Sequence, residues 1–149
     1  MPDGDSISMY EISLLQSRAD RSLRVFLSAA IKSFDITVME WLLLSTVAEN
    51  ATKDKGVTMS FVARALNVTL PQVTALTSRM LKTELLQQKV STKDRRSRTM
   101  QVTPSGEQLL ADIDKKMDAV QDRWLADLTE EDITGYISTL RKLSKHQRN

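Results

Sequence analysis

TLPQVTALTSRMLKTELLQQKVSTKDRRSRTMQVTPSG, residues 69–106, contains the pattern of an amphipathic helix, a strand, a basic loop, a second strand and the start of another helix. The loop, Lys93–Arg98, carries four cations in six residues. A cationic hairpin tip that follows a helix with a polar outer face is suited to the phosphates of a nucleic acid. The stretch therefore predicts a DNA-binding device and argues against an enzyme.

A tight turn joins the helix of this stretch to a shorter helix before it. Thr58 fits the N-cap of the shorter helix, Met59–Leu66, and Asn67 follows where a helix ends in a left-handed residue. Thr69 fits the N-cap of the second helix, and Pro71 falls in its first turn, where a missing N–H costs nothing. The pattern predicts a helix-turn-helix.

The second helix has an apolar side and a polar side. Val73, Leu76, Met80 and Leu81 recur at helical spacing and are predicted to face inward. The remaining side chains are mostly short or planar, and such groups hydrogen-bond base edges and phosphates in a major groove. The predicted DNA-reading residues of this helix are Gln72, Thr74, Thr77, Ser78, Arg79 and Lys82.

Two short strands and the basic loop are predicted to form a β-hairpin wing. Gln87–Ser91 and Thr99–Val102 are the predicted strands, and Thr103 caps the next helix with Pro104 at its first position. The predicted DNA-binding residues of the wing are Lys93, Arg95, Arg96 and Arg98.

Long amphipathic helices flank this middle region. Apolar residues recur at helical spacing over Ile7–Phe34 and over 104–124, Thr37 begins another helix with a capping box, and Thr129 caps the last one. One small domain has little core with which to cover so many apolar stripes, so we predict a two-fold symmetric homodimer. The predicted fold is mainly α with minor β: a winged helix-turn-helix with a two-stranded wing over residues 37–103, and a helical dimerisation region over residues 1–36 and 104–149.

Composition limits the class of protein. The 149 residues are 41% hydrophobic and 27% charged, and they suit one domain, or one domain with a dimerisation element. Only 4 Gly and 3 Pro favour a helical chain over an all-β fold, and the lack of Cys excludes disulfides and thiolate chemistry. The N-terminus is acidic and does not resemble a signal peptide, and no apolar run could span a bilayer. These features predict a cytoplasmic protein with no membrane contact.

The charge is concentrated in the middle of the chain. Net charge is +2, but Arg64–Arg98 holds eight cations and two anions, or +6, while the rest holds 13 cations and 17 anions, or −4. A basic middle in an acidic remainder predicts a local polyanion site, although charge runs are often only solvated faces.

Residues able to perform catalysis are scarce. His146 is the single His and lies near the C-terminus, and no Gly-rich phosphate loop or metal-ligand cluster is present in the sequence. Asp112, Asp114 and Asp118 fall partly on one helix face, which is the ordinary pattern of a solvated helix. We expect no enzymatic activity, no metal and no cofactor.

These motifs together resemble those of the MarR-type winged helix-turn-helix transcriptional regulators. The resemblance rests on Ala63–Val68, on Leu76–Leu81, on the wing sequence Asp94-Arg95-Arg96, and on Val102–Gly106, which is similar to the family's Leu-Thr-x-x-Gly. Glu84 stands where members usually have Gly, which predicts that the end of the preceding helix is built differently.

The resemblance implies roles for several residues. The helix 70–82 would enter the major groove of double-stranded DNA, and Arg95 or Arg98 would reach the adjacent minor groove. Asp94 and Arg96 resemble the pair that shapes the wing. Members typically repress genes and release DNA when a small ligand, often aromatic or phenolic, binds between two domains. Candidate pocket walls here are Phe26, Phe34, Trp41 and Trp124, each of which also suits an ordinary core.

A second hypothesis is a winged-helix module that binds an acidic protein instead of DNA, since fold alone does not determine function. The polar outer face, Gln72–Arg79, argues against this alternative because protein interfaces favour buried aromatic anchors.

Overall fold

The structure is a computed structural model that describes residues 6–90 and 98–148. Its helices and strands follow the predicted order. The helices are α1 (Met9–Ile31), α2 (Val38–Asn50), α3 (Met59–Leu66), α4 (Leu70–Lys82), α5 (Pro104–Trp124) and α6 (Glu130–Leu143), with short 3-10 turns at Lys32–Phe34 and Ser144–Arg148. The strands are β1 (Val57–Thr58), β2 (Leu86–Val90) and β3 (Arg98–Val102). The chain divides into two compact units, Met1–Lys116 and Met117–Asn149.

The predicted mainly helical winged fold is confirmed, with one addition to the sheet. β3 lies between β1 and β2, and both pairings are antiparallel. In the wing, Leu86 pairs with Val102 and Val90 pairs with Arg98. β1 was missed because two residues are too few to show alternation in a sequence. Leu86 belongs to β2 and is buried, because its side chain completes the core beneath the sheet.

Threonine hydroxyls begin four of the helices as the sequence predicts. Thr37 accepts a hydrogen bond from the backbone N–H of Glu40, whose carboxylate accepts one from the N–H of Thr37. Thr69 forms the same reciprocal capping box with Gln72, and Thr58 caps α3. A cap of this kind stabilises a helix by about 1 kcal/mol. Thr129 and Asp132 form the box of α6.

The two helices of the helix-turn-helix end in the same way. Asn67 has φ 53° and Glu84 has φ 59°, so both lie in the left-handed region. After α4 the N–H of Leu85 reaches the carbonyl of Met80 at 2.9 Å, and the N–H of Glu84 reaches that of Leu81 at 3.2 Å. These two bonds define a Schellman motif. The prediction that Glu84 changes the build of this helix end is wrong: the glutamate itself takes the left-handed conformation.

A small apolar core holds the helix-turn-helix on the sheet and on α2. The core residues with essentially no exposed surface come from α2, α3, α4, β3 and α5: Leu43, Leu44, Val47, Val62, Val73, Met80, Met100 and Ile113. Burial of each such side chain contributes about 1.5–3 kcal/mol relative to exposure. α4 is thereby fixed on one side, and its other side stays free for a partner.

The start of α5 packs tightly on the end of the helix-turn-helix. The hydroxyl of Thr103 accepts a hydrogen bond from the N–H of Gly106 at 3.1 Å and donates one to the carbonyl of Glu84 at 2.5 Å. Gly106 is buried, and a Cβ there would overlap the carbonyl oxygen of Leu85 and the side chain of Val102. The Gly of the wing-to-helix junction is therefore a requirement of close packing.

Two helical faces remain uncovered in the single chain. On α1 the apolar residues Tyr10 and Leu15 are 78% and 53% exposed. The apolar stripe of α6 is exposed over its whole length: Tyr136, Ile137, Leu140 and Leu143. Over the described parts of the chain, none of the helices combines the length and the apolar character that a membrane crossing needs.

Candidate nucleic-acid interface

The exposed side of α4 is the centre of the candidate interface. Five of the six predicted reading residues of this helix are solvent-exposed: Gln72, Thr74, Ser78, Arg79 and Lys82. Between them lie Pro71 and Ala75, which are also exposed and which the sequence analysis did not assign. Pro71, Ala75, Ser78 and Lys82 follow the three- and four-residue spacing of one helix face. That spacing was visible in the sequence. An exposed methyl group at Ala75 suits contact with a thymine methyl.

Thr77 does not belong to this surface. It is fully buried, and its hydroxyl lies 3.6 Å from the sulfur of Met100 in β3. The prediction that Thr77 faces outward is wrong, because its position on the helical wheel lies between Val73 and Met80. Its hydroxyl finds a partner inside the protein, so the polar side chain is compatible with the core.

Two reading residues are already engaged with the backbone of the same helix. The side-chain oxygen of Gln72 accepts hydrogen bonds from the N–H and the hydroxyl of Thr69 at 2.8 and 3.1 Å. The hydroxyl of Thr74 donates to the carbonyl of Leu70 at 3.0 Å. The amide nitrogen of Gln72 keeps its two donors, and the hydroxyl oxygen of Thr74 keeps its acceptor capacity. Both side chains are thus oriented while still able to bind a base edge.

Arg79 is tied to α2 by an ion pair. Its Nη1 lies 3.1 Å from Oε1 of Glu40, and that carboxylate is only 5% exposed whereas the Arg79 side chain is 52% exposed. The sequence analysis gave Glu40 only a capping role, because a partner 39 residues away leaves no local signal. A guanidinium has five donors, so one bond to Glu40 leaves others for a second anion. Arg79 therefore joins α4 to α2 and also faces solvent.

The wing is described only at its base. Arg98 begins β3 and is exposed, and Lys89 is an exposed cation of the paired strand β2. The predicted contacts Lys93, Arg95 and Arg96, and the shaping residue Asp94, lie outside the described residues. The cations at the base lie on the strands that follow α4, so the basic segment is continuous along the chain with the candidate interface.

A cavity of about 730 Å³ lies between α1 and the start of α2. Its walls are mainly apolar, with Leu23, Leu27, Ile36 and Leu42 among them, and Arg79 also lines it. This volume is in the range of small-molecule sites. Its lining includes none of the aromatic residues suggested from the sequence, Phe26, Phe34, Trp41 and Trp124.

The acidic residues of α5 form no candidate site. Asp112, Asp114 and Asp118 are all exposed. In the described part of the chain, no group of three or more His, Asp or Glu side chains is placed to hold a metal ion.

The arrangement of these elements defines a winged helix-turn-helix protein, with α4 in the position of the helix that reads DNA. Residues 34–97 match the model of the MarR family. No curated protein sequence matches the chain significantly.

Solved structures of MarR-family proteins share the fold over nearly the whole chain. A MarR-family transcriptional regulator from Rhodococcus sp. RHA1 is 18% identical, with 94% of this chain and 98% of that chain covered and a TM-score of 0.81. CouR from Rhodococcus jostii RHA1, bound to p-coumaroyl-CoA, is 20% identical, with 94% and 96% covered and a TM-score of 0.79. S. aureus MepR in complex with DNA is 21% identical, with 91% and 96% covered and a TM-score of 0.75.

The family match covers the helix-turn-helix and the wing sequence, and the common fold extends to the flanking helices. The chain belongs to the MarR family of winged helix-turn-helix transcriptional regulators. Proteins of this family regulate transcription and are not enzymes.

Proposed function

We propose that this regulator is a cytoplasmic homodimeric repressor that binds a pseudo-palindromic operator and leaves it when a small ligand binds. The exposed face of α4 is the observation that carries DNA readout: its polar and cationic side chains point outward, while its apolar side is anchored in the core. In the proposed complex α4 enters the major groove, and the wing cations contact phosphates and the adjacent minor groove.

The uncovered apolar faces support the homodimer. Tyr10 and Leu15 of α1, and the α6 stripe that includes Ile137 and Leu140, are exposed in the single chain. Contiguous apolar surface of this kind marks an interaction site. A second copy would cover each face, and two-fold symmetry would present two α4 helices to half-sites one duplex turn apart, roughly 34 Å.

Release by a ligand is supported by the cavity between α1 and α2. Arg79 of α4 lines that cavity, so a molecule bound there would contact the helix proposed to read DNA. Coupling of about 1–3 kcal/mol between the two sites would change DNA occupancy about 5–150-fold. CouR was solved with p-coumaroyl-CoA, which supports an aromatic or phenolic compound as the first class of ligand to test.

The function is tested by measuring DNA affinity against salt concentration, with the DNA that lies upstream of the gene. Each phosphate contacted contributes about −0.9 to the slope of log K against log salt. We expect a slope steeper than about −4, because two copies of α4 and of the wing would each contact several phosphates. A slope shallower than about −2, or equal affinity for unrelated DNA, would contradict a sequence-reading dimer.

A further inference from the structure

The ion pair between Glu40 and Arg79 connects the cavity to the proposed reading helix. Glu40 Oε1 accepts two hydrogen bonds, one from the N–H of Thr37 at 3.2 Å and one from Nη1 of Arg79 at 3.1 Å. One carboxylate thus caps the start of α2 and also holds a side chain of α4. Because Glu40 is almost fully buried, Arg79 is the countercharge that makes its ionised form tolerable there.

The cavity presents Arg79 to any molecule that occupies it. Its apolar walls, Leu23, Ile36 and Leu42 among them, suit the hydrocarbon body of a ligand. Lys32 and Arg79 lie at the lining, and a third cation there, Arg24, is 3.0 Å from Asp20. An apolar body with an anionic end is the ligand chemistry that such a lining recognises.

We propose that Arg79 is shared between two states: Glu40 holds it in the DNA-binding state, and the carboxylate of an amphipathic ligand in the α1–α2 cavity competes for it. A guanidinium binds a carboxylate through two parallel N–H bonds, whereas Nη1 alone reaches Glu40. A ligand carboxylate can therefore make the better contact, and it draws Arg79 toward the cavity. Glu40 opposes this binding by hydrogen bonding and by charge repulsion.

The effect on α4 follows from the position of Arg79. Its side chain leaves a helix whose opposite side is fixed in the core by Val73 and Met80. The Glu40 contact sets the orientation of the exposed side against α2. When the ligand removes that contact, the reading face loses one of its two restraints. This step rests on the proposed function, whereas binding of the carboxylate to Arg79 does not.

The proposal is tested by calorimetry on the full-length protein without DNA. The probes are 4-phenylbutyrate and decanoate, each compared with its primary amide, which has nearly the same size and no charge. We expect each carboxylate to bind at least about tenfold more tightly than its amide, as a charge-assisted contact requires. Equal affinities, or no binding of any probe, would overturn the proposal.

Two variants separate Arg79 from the other cations. Glu40→Gln keeps an oxygen to cap α2 but removes the competing charge, so we expect it to tighten carboxylate binding about 3–10-fold and leave amide binding unchanged. The double variant Glu40→Gln with Arg79→Gln leaves no buried unpaired charge, so it avoids the folding defect of a single Arg79 change. We expect it to erase the preference for the carboxylate. Arg21→Gln, an exposed α1 cation outside the cavity, is the matched control and should alter neither affinity.

A DNA-binding assay then examines the consequence separately. We expect 4-phenylbutyrate to weaken DNA binding by the wild-type protein and its amide to have no effect. By thermodynamic reciprocity, DNA should weaken 4-phenylbutyrate binding by the same factor. Carboxylate binding that depends on Glu40 and Arg79 but leaves DNA affinity unchanged would retain the shared cation and overturn the switch. A protein that binds no DNA but binds the carboxylate through Arg79 would instead contradict the proposed function.

Discussion

The hydroxyl of Thr77 lies 3.6 Å from the sulfur of Met100, and both residues are fully buried. This contact joins the inner side of α4 to the central strand β3. It turns a threonine that resembles a DNA-reading residue in sequence into a core residue. The hydrogen-bond partner of Thr77 is known, so its contribution to DNA binding can be separated from that of an exposed threonine on the same helix.

Replacement of Thr77 by Val should leave DNA affinity within about twofold of wild type, because the hydroxyl has no access to DNA. The loss of a weak contact to sulfur should change the free energy of unfolding by no more than about 1 kcal/mol. Thr74→Val is the matched control, since Thr74 is exposed on the same helix; it should weaken operator binding about threefold or more. Fluorescence anisotropy with operator DNA checks both, and equal losses for the two variants would contradict the assignment.

Glu84→Gly should stabilise the protein. Glu84 holds a left-handed conformation at φ 59°, which costs a residue with a side chain about 1 kcal/mol relative to Gly. We therefore expect the free energy of unfolding in urea to rise by about 0.5–1 kcal/mol. Asn67→Gly is the matched control at φ 53°, and it should gain less because Asn tolerates this conformation better. A destabilised Glu84→Gly variant would show that the side chain makes a compensating contact.

The local features of the sequence were sufficient to predict most of the fold. Caps at Thr37, Thr58, Thr69 and Thr129 are properties of a few adjacent residues, and all four are present. Helix bounds of α3 and α4 follow from the same signals. Periodicity was less informative at the edges of a helix face, where a rotation of some 40° moves Thr77 from surface to core.

Long-range relationships could not be predicted in the same way. The pairing of Glu40 with Arg79 spans 39 residues, and β1 pairs with β3 across the whole helix-turn-helix. Such contacts depend on how the elements pack in three dimensions. The αL conformation of Glu84 was unexpected for a related reason. Two Schellman hydrogen bonds and the bond from Thr103 to its carbonyl hold the helix end in place despite an unfavourable residue.

Two glycine substitutions should have opposite effects. At Gly106 a methyl group would overlap the carbonyl of Leu85 and the side chain of Val102, so Gly106→Ala should lower the free energy of unfolding by about 2 kcal/mol or more. At Gly135 no atom lies within 4 Å of the added methyl, and α6 should gain about 0.8–1 kcal/mol of helix stability. Thermal and urea unfolding of both variants measures the contrast. Similar shifts at the two positions would contradict the packing of α5.

Disruption of the α6 stripe should produce monomers. Leu140 is 41% exposed within a row of apolar residues, and a charge there would be buried without a partner in the proposed dimer. Leu140→Glu should therefore give the mass of one chain in light scattering and weaken operator binding at least about tenfold. Ser138→Glu, an exposed residue on another side of α6, is the matched control and should remain dimeric. A dimeric Leu140→Glu protein would exclude this face from the interface.

Removal of the wing cations should weaken binding to every DNA sequence alike. Arg95 and Arg98 are proposed to contact phosphates and the minor groove, which carry little sequence information. The double change Arg95→Ala with Arg98→Ala should lower affinity at least about tenfold for both operator and unrelated DNA. It should also make the slope of log K against log salt less steep by about 1–2 per wing, at about 0.9 for each phosphate lost. Arg18→Ala with Arg21→Ala removes the same charge from α1 and should leave affinity and slope nearly unchanged, because a general charge effect would appear equally in both double variants. If the wing variant lost affinity for the operator alone, its arginines would be reading bases, and the division of labour between α4 and the wing would have to be reversed.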